Sequence, residues 1–159
     1  MILNDALWFE TIDVQILLRL GVATLIGLIL GLDREIKGYD AGLRTHGLVA
    51  LSSSLMTVVA IALYHQLGGA RSSLDPLRVI EGMAAGMGII AAGLIIVKGG
   101  EVRNLATAAY IWLTGAIGIA SGAGYFAVVL IAAGLALTLL ILMRFVERHL
   151  PSEKVDEPD

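Results

Sequence analysis

The chain contains no cysteine, so disulfides and thiolate metal sites are excluded from the start. Charge is scarce as well: 16% of residues are Asp, Glu, Lys or Arg, against about 25% in ordinary soluble domains. No Lys or Arg precedes the first apolar run, where only Asp5, Glu10 and Asp13 stand. A secretory signal opens on a basic segment, so the first run is expected to stay in the mature protein. Basic tracts are missing and the net charge is −3, which leaves no electrostatic footprint for nucleic acid. There is no P-loop and no nucleophile and base at a recognisable spacing; Gly86-x-Gly88-x4-Gly93 does not fit the dinucleotide fingerprint. The expectation is a protein that is not an enzyme and carries no cofactor.

What the sequence has in abundance is apolar surface: 57% of residues are hydrophobic and the mean hydropathy is +0.85. A bilayer core about 30 Å thick is crossed by ~20 mostly apolar residues. Five runs approach that length, at 14–32, 47–67, 79–97, 105–121 and 125–146. The predicted fold is therefore all-α, a polytopic bundle of five transmembrane helices. Residues 1–13 form an N-terminal interfacial segment, 14–150 the membrane domain, and 151–159 a disordered acidic tail beyond Pro151. Arg19, one turn inside the first run, is expected to snorkel to the near interface. Nineteen glycines include Gly27-x3-Gly31, Gly82-x3-Gly86 and Gly118-x3-Gly122. Small residues at this spacing let helices approach closely in lipid. Gly27, Gly31, Gly42, Gly82, Gly86, Gly88 and Gly93 are the candidate helix-packing glycines, favouring a compact bundle or a homodimer.

Lys and Arg are distributed unevenly over the connections: Arg34, Lys37, Arg44, Lys98, Arg103, Arg144, Arg148 and Lys154 fall on one side, Arg71 and Arg78 on the other. The positive-inside rule then puts the N-terminus outside and the C-terminus in the cytoplasm.

The candidate site follows from that count. Residues 31–50 hold six formal charges and His46 between two apolar runs. Asp33, Arg34 and Glu35 either stop the first helix at the headgroups or pair across the bundle, since a charge held away from water needs a partner. Pairing of Asp33 with Arg44 or Arg103 is the specific expectation. Gly42 permits a tight entry, Thr45 is placed to cap the second helix, and free amides beside Arg44 suit an anion. His46 reads as an interfacial histidine; no second histidine stands three or four residues away, so metal ligands are not identifiable. In the fourth helix Asn104, Thr107, Thr114 and Ser121 share a face with Ile111 and Gly118, a stripe that reads as polar packing between helices. Ser52, Ser53, Ser54 and Thr57 of the second helix are its partners. Glu81 has Arg78 three residues earlier, a local ion pair.

Gly31-Leu-Asp33-Arg34-Glu35, Gly42-Leu-Arg44-Thr45, Gly86-x-Gly88-x4-Gly93 and Val102-Arg103-x-Leu-x-Thr107-Ala-Ala, in this order, resemble the motifs of the MgtC/SapB family. The resemblance runs from about Gly21 to Trp112. It implies a multi-pass protein of the bacterial inner membrane, regulatory in character and linked to magnesium or phosphate homeostasis and to growth in low magnesium. It also singles out Asp33, Arg34, Gly42, Arg44, Thr45, Gly86, Gly88, Gly93, Arg103 and Thr107. The implied partners are the lipid bilayer, a membrane-protein partner or a second copy, and a small ion or anion; a small transporter or channel for Mg²⁺ or another ion is the alternative. Asp33 stands where the family often has Glu, and His46 where it commonly has Asn. Many members add a soluble cytoplasmic domain after the fifth helix; here eight residues follow Pro151.

Overall fold

The computed structural model describes residues 6–69, 75–98 and 100–149. Five helices are long and apolar enough to cross a membrane. They are α1 (Ala6–Ile36), α2 (Leu43–Gln66), α3 (Leu77–Leu94), α4 (Leu105–Gly122) and α5 (Phe126–His149). Their apolar side chains face outward: Leu17, Leu48, Ile89, Leu130 and Ile141 are exposed. Buried positions include Ser53, Ser54, Thr57, Thr107, Thr114 and Ser121. An apolar exterior, with these polar side chains set among buried apolar ones, suits a lipid surround, where helices associate by close packing and polar contacts.

α2 packs against both α1 and α4. A Cβ on Gly27 would lie 2.7 Å from the His46 carbonyl oxygen, and one on Gly31 2.8 Å from that of Gly42. Numbers rise on α1 as they fall on α2, so the two helices are antiparallel and in backbone contact. Gly118 likewise sits on Ala50 and Ser53, and Gly122 on Ser54 and Thr57. There the numbers rise together, so α2 and α4 run parallel. α5 closes the outside with Val129, Ala133, Ala136 and Leu140, a helical stripe that packs on Ile26 and Leu30 of α1 and Ile117 of α4. α3 joins α4 where Met87 fills the space above Gly115.

Three boundaries differ from expectation. α1 is continuous from Ala6, so residues 6–13 belong to the first helix rather than to a separate interfacial segment; residues 1–5 and 151–159, including the expected tail, lie outside the described residues. α1 also continues four residues past 32, which places Asp33, Arg34 and Glu35 inside the helix. It stops at Gly38, whose φ of 72° serves a Schellman ending in which the Tyr39 N–H donates to the Arg34 carbonyl at 3.1 Å. Finally, the third run ends early: Ile96–Lys98 (β1) pairs antiparallel with Glu101–Arg103 (β2), Lys98 opposite Glu101. Gly100 has φ 85°, the left-handed backbone that two-residue hairpins require.

Candidate functional site

The residues singled out by sequence gather at one end of the bundle, where α1 ends, α2 and α4 begin, and the hairpin covers the rim. At its centre is Arg34, which is only 6% exposed. Its guanidinium carbon lies 4.3 Å from the centroid of Tyr110 on α4 and 4.7 Å from that of Tyr39 in the α1–α2 connection. Both rings contribute cation–π attraction. The Schellman ending explains Tyr39, because it folds this residue back over the last turn of α1. Arg34 Nε finds no hydrogen-bond partner.

The carboxylates around Arg34 are engaged elsewhere. Asp33 meets Lys37 Nζ at 3.2 Å, one turn on and just past the end of α1, so among the described residues its ion partner is Lys37, where Arg44 or Arg103 is expected from sequence. The short reach of an aspartate at i and a lysine at i+4 favours this local pair. Arg44 itself is exposed. Glu35 Oε2 accepts the Leu43 N–H at 3.0 Å, so the cap of α2 comes from α1 and Thr45 is not its capping residue. Gly42 is where it is because a Cβ there would collide with that same Glu35 carboxylate. Asp40 accepts from the Asn104 side-chain amide at 3.0 Å. Asn104 holds φ 63°, a left-handed conformation that asparagine tolerates better than most residues. That bond ties the α1–α2 connection to the start of α4. Tyr39, Asp40, Ile96, Val102, Arg103 and Asn104 enclose a recess of about 410 Å³ at this rim.

Two further residues of the charged end are buried more deeply than sequence suggests. His46 is fully buried, not interfacial. Its Nδ1 lies 2.9 Å from the Gly42 carbonyl oxygen; since a carbonyl only accepts, Nδ1 carries the hydrogen. Nε2 has no partner. Thr107 is 1% exposed and its hydroxyl has no partner either. Among the described residues no group of three or more His, Asp or Glu is placed to hold a metal ion.

At the opposite end, Arg19 does more than snorkel. Its Nη1 donates to the Gly122 carbonyl at 2.8 Å, a cation on the last turn of α4. Its own backbone carbonyl accepts from Ser121 at 2.8 Å and Ser54 at 3.2 Å. These bonds make Ser54 and Ser121 ties between α1, α2 and α4, while Thr57 and Thr114 bond within their own helices and Ser52 is exposed. Glu81 and Arg78 are exposed and form no ion pair with each other. Of the candidate packing glycines, Gly27, Gly31 and Gly42 are in close contact. Gly82, Gly86, Gly88 and Gly93 have no atom within 4 Å of a built Cβ, so they pack nothing within one copy of the chain. Sequence spacing alone cannot tell the two sets apart, because spacing does not fix which face of a helix meets a neighbour.

Residues 20–149 match the model of the MgtC family. The chain is 38% identical to Protein SapB of Bacillus subtilis over 154 residues, covering 96% of this chain and 66% of that protein. It is 35% identical to "Putative magnesium transporter YhiD" of Escherichia coli K12 over 132 residues, covering 82% and 60%. To Protein MgtC of Salmonella typhimurium it is 33% identical over 128 residues, covering 80% and 52%. The chain thus spans between about half and two thirds of the length of these relatives. No solved structure matches. A five-helix membrane bundle and a family match over most of its length identify the chain as a member of the MgtC family.

Proposed function

We propose that the chain is a regulatory protein of the bacterial inner membrane, linked to magnesium or phosphate homeostasis and adaptation to low magnesium. Its cytoplasmic face of Asp33, Arg34, Glu35, Arg44, Thr45, Arg103, Asn104 and Thr107 docks a partner membrane protein or binds an anion. The observation that carries this reading is the fixing of that face. Arg34 is clamped between Tyr39 and Tyr110, Glu35 caps α2, and Asn104 holds Asp40. These links join three helices and a loop into one preformed surface, which lowers the ordering cost of binding. Above it, α1, α2 and α4 meet backbone to backbone at Gly27, Gly31, Gly118 and Gly122, which supports a packed scaffold over a wide polar passage.

The second reading, a small transporter or channel, is favoured by the magnesium in the name of the Escherichia coli relative. Mg²⁺ uptake by proteoliposomes containing the purified chain separates the two. The regulatory reading expects uptake equal to that of protein-free vesicles. Uptake well above that background, lost in Arg44→Ala, sinks it. In cells, growth in low magnesium that depends on this chain is expected to fail with Arg34→Ala and to survive Arg78→Ala.

A further inference from the structure

Arg34 presents an unusual electrostatic situation. A buried guanidinium ordinarily binds a carboxylate or a set of carbonyls, because an unpaired charge removed from water is costly. Here the three nearby carboxylates serve other groups: Asp33 pairs with Lys37, Glu35 caps Leu43, and Asp40 receives Asn104. The faces of the guanidinium are covered by Tyr39 and Tyr110, but ring faces do not accept its edge N–H groups, and Nε is unsatisfied. Buried polar atoms without partners are rare and call for an explanation, an absent ion among them.

Three more buried polar atoms without a hydrogen-bond partner belong to residues of this end: Asp33 Oδ2, whose charge is met by Lys37, and one atom each of Thr107 and His46. Thr107 stands one turn before Tyr110 on the same face of α4, and Tyr110 touches Arg34. His46 packs on Gly31, one turn before Arg34 on α1, and feels the charge of Arg34. The hydroxyl of Thr107 and Nε2 of His46 are both unpartnered. α2 and α4 begin here, so two helix N-termini turn their positive ends toward this level. No side chain caps the first turn of α4. The 410 Å³ recess adjoins Arg34 through one shared residue: Tyr39 is both a wall of the recess and a ring that covers Arg34.

We propose that this end of the bundle binds a phosphate group, with Arg34 as its counter-charge and Thr107 and His46 as polar neighbours, entered from the recess past Tyr39. Arg34 and Thr107 supply N–H and O–H donors. The His46 Nε2 lone pair accepts the hydroxyl of a monohydrogen phosphate or a phosphate monoester. The phosphate belongs either to free inorganic phosphate or to a lipid headgroup, which shares this chemistry at the depth of the membrane surface. The inference rests on the regulatory reading above and specifies what its anion would be.

The test uses the full chain in detergent and in nanodiscs, with thermal unfolding as readout, since a ligand bound to the folded state raises the midpoint with its concentration. One arm titrates inorganic phosphate against chloride at matched ionic strength. The other compares nanodiscs of phosphatidylcholine with and without phosphatidic acid. The expected result is a saturable rise in at least one arm: a rise with inorganic phosphate identifies the free anion, and one confined to phosphatidic acid the lipid. Arg34→Met is expected to abolish it. Thr107→Val, which keeps the side-chain volume, is expected to weaken half-saturation about tenfold, the worth of one hydrogen bond to a charged group. Arg78→Ala, at the other end, leaves it unchanged. No saturable rise in either arm overturns the inference, as does a rise that Thr107→Val leaves intact. If neither arm responds while Arg34→Ala still abolishes growth in low magnesium, the phosphate site falls and the regulatory reading stands.

Discussion

At the scale of single residues, the charged end is organised by who partners whom, and Glu35 and Gly42 show how closely two positions can depend on each other. Glu35→Ala removes the acceptor of the Leu43 N–H and should cost about 1 kcal/mol, the usual worth of a helix cap. Gly42→Ala drives a methyl into the same carboxylate and should cost a similar amount. Because both act on one contact, the double variant should fall well short of the sum, a coupling readable by unfolding in detergent with a double-mutant cycle. Fully additive losses would show that the carboxylate does not seat on Gly42. The sequence announces these residues through their charge and spacing, but not their pairing. Asp33 could reach Arg44 or Lys37, and the choice depends on where α1 ends, which Gly38 decides. Arg19 is another case: an arginine inside an apolar run is legible as unusual, whereas its acceptor, Gly122, lies 103 positions away. Burial of His46 was likewise hidden, because nothing local distinguishes an interfacial histidine from one that faces Gly31.

At the scale of elements, length and hydropathy determine that there are five helices, and close approach determines which pairs touch. α4 was the most legible: its expected and observed bounds differ by one residue, since Asn104 and Gly124 punctuate both ends. The hairpin was the least. A two-stranded hairpin of three-residue strands has little stability of its own, and its apolar Ile96 and Val97 look like the end of a membrane span. Glycine spacing suggests three packing motifs; two of them, on α1 and α4, pack against α2 and the third meets nothing. That difference is measurable. Gly118→Val places new atoms where a Cβ already comes within 2.5 Å of the Ala50 carbonyl, and overpacking of this kind should cost about 1–3 kcal/mol or more. Gly86→Ala, with open space at its Cβ, should leave stability within about 0.5 kcal/mol of the parent or raise it. Equal losses for the two variants in thermal or denaturant unfolding would mean that the α2–α4 contact does not carry the packing assigned to it.

At the scale of the whole molecule, the proposed function depends on direction across the membrane. The described basic residues Arg34, Lys37, Arg44 and Arg103 lie at one end of the bundle, whereas Arg19 and Arg78 lie toward the other. By the positive-inside rule, we propose that the basic end faces the cytoplasm. The proposed regulatory face depends on this orientation, for a partner or phosphate group on the cytoplasmic side would otherwise never meet Arg34. The absence of cysteine makes the test direct, because any thiol introduced is the only one in the chain. Val102→Cys places a thiol on the exposed hairpin at the charged end, and Gln66→Cys places one on the exposed last turn of α2 at the opposite end. A membrane-impermeant maleimide added to spheroplasts should label Gln66→Cys and spare Val102→Cys, and in inverted vesicles the pattern should reverse. Labelling of Val102→Cys from outside intact spheroplasts would turn the bundle over and put Arg34, Thr107 and the recess beside them on the wrong side of the membrane for the function proposed.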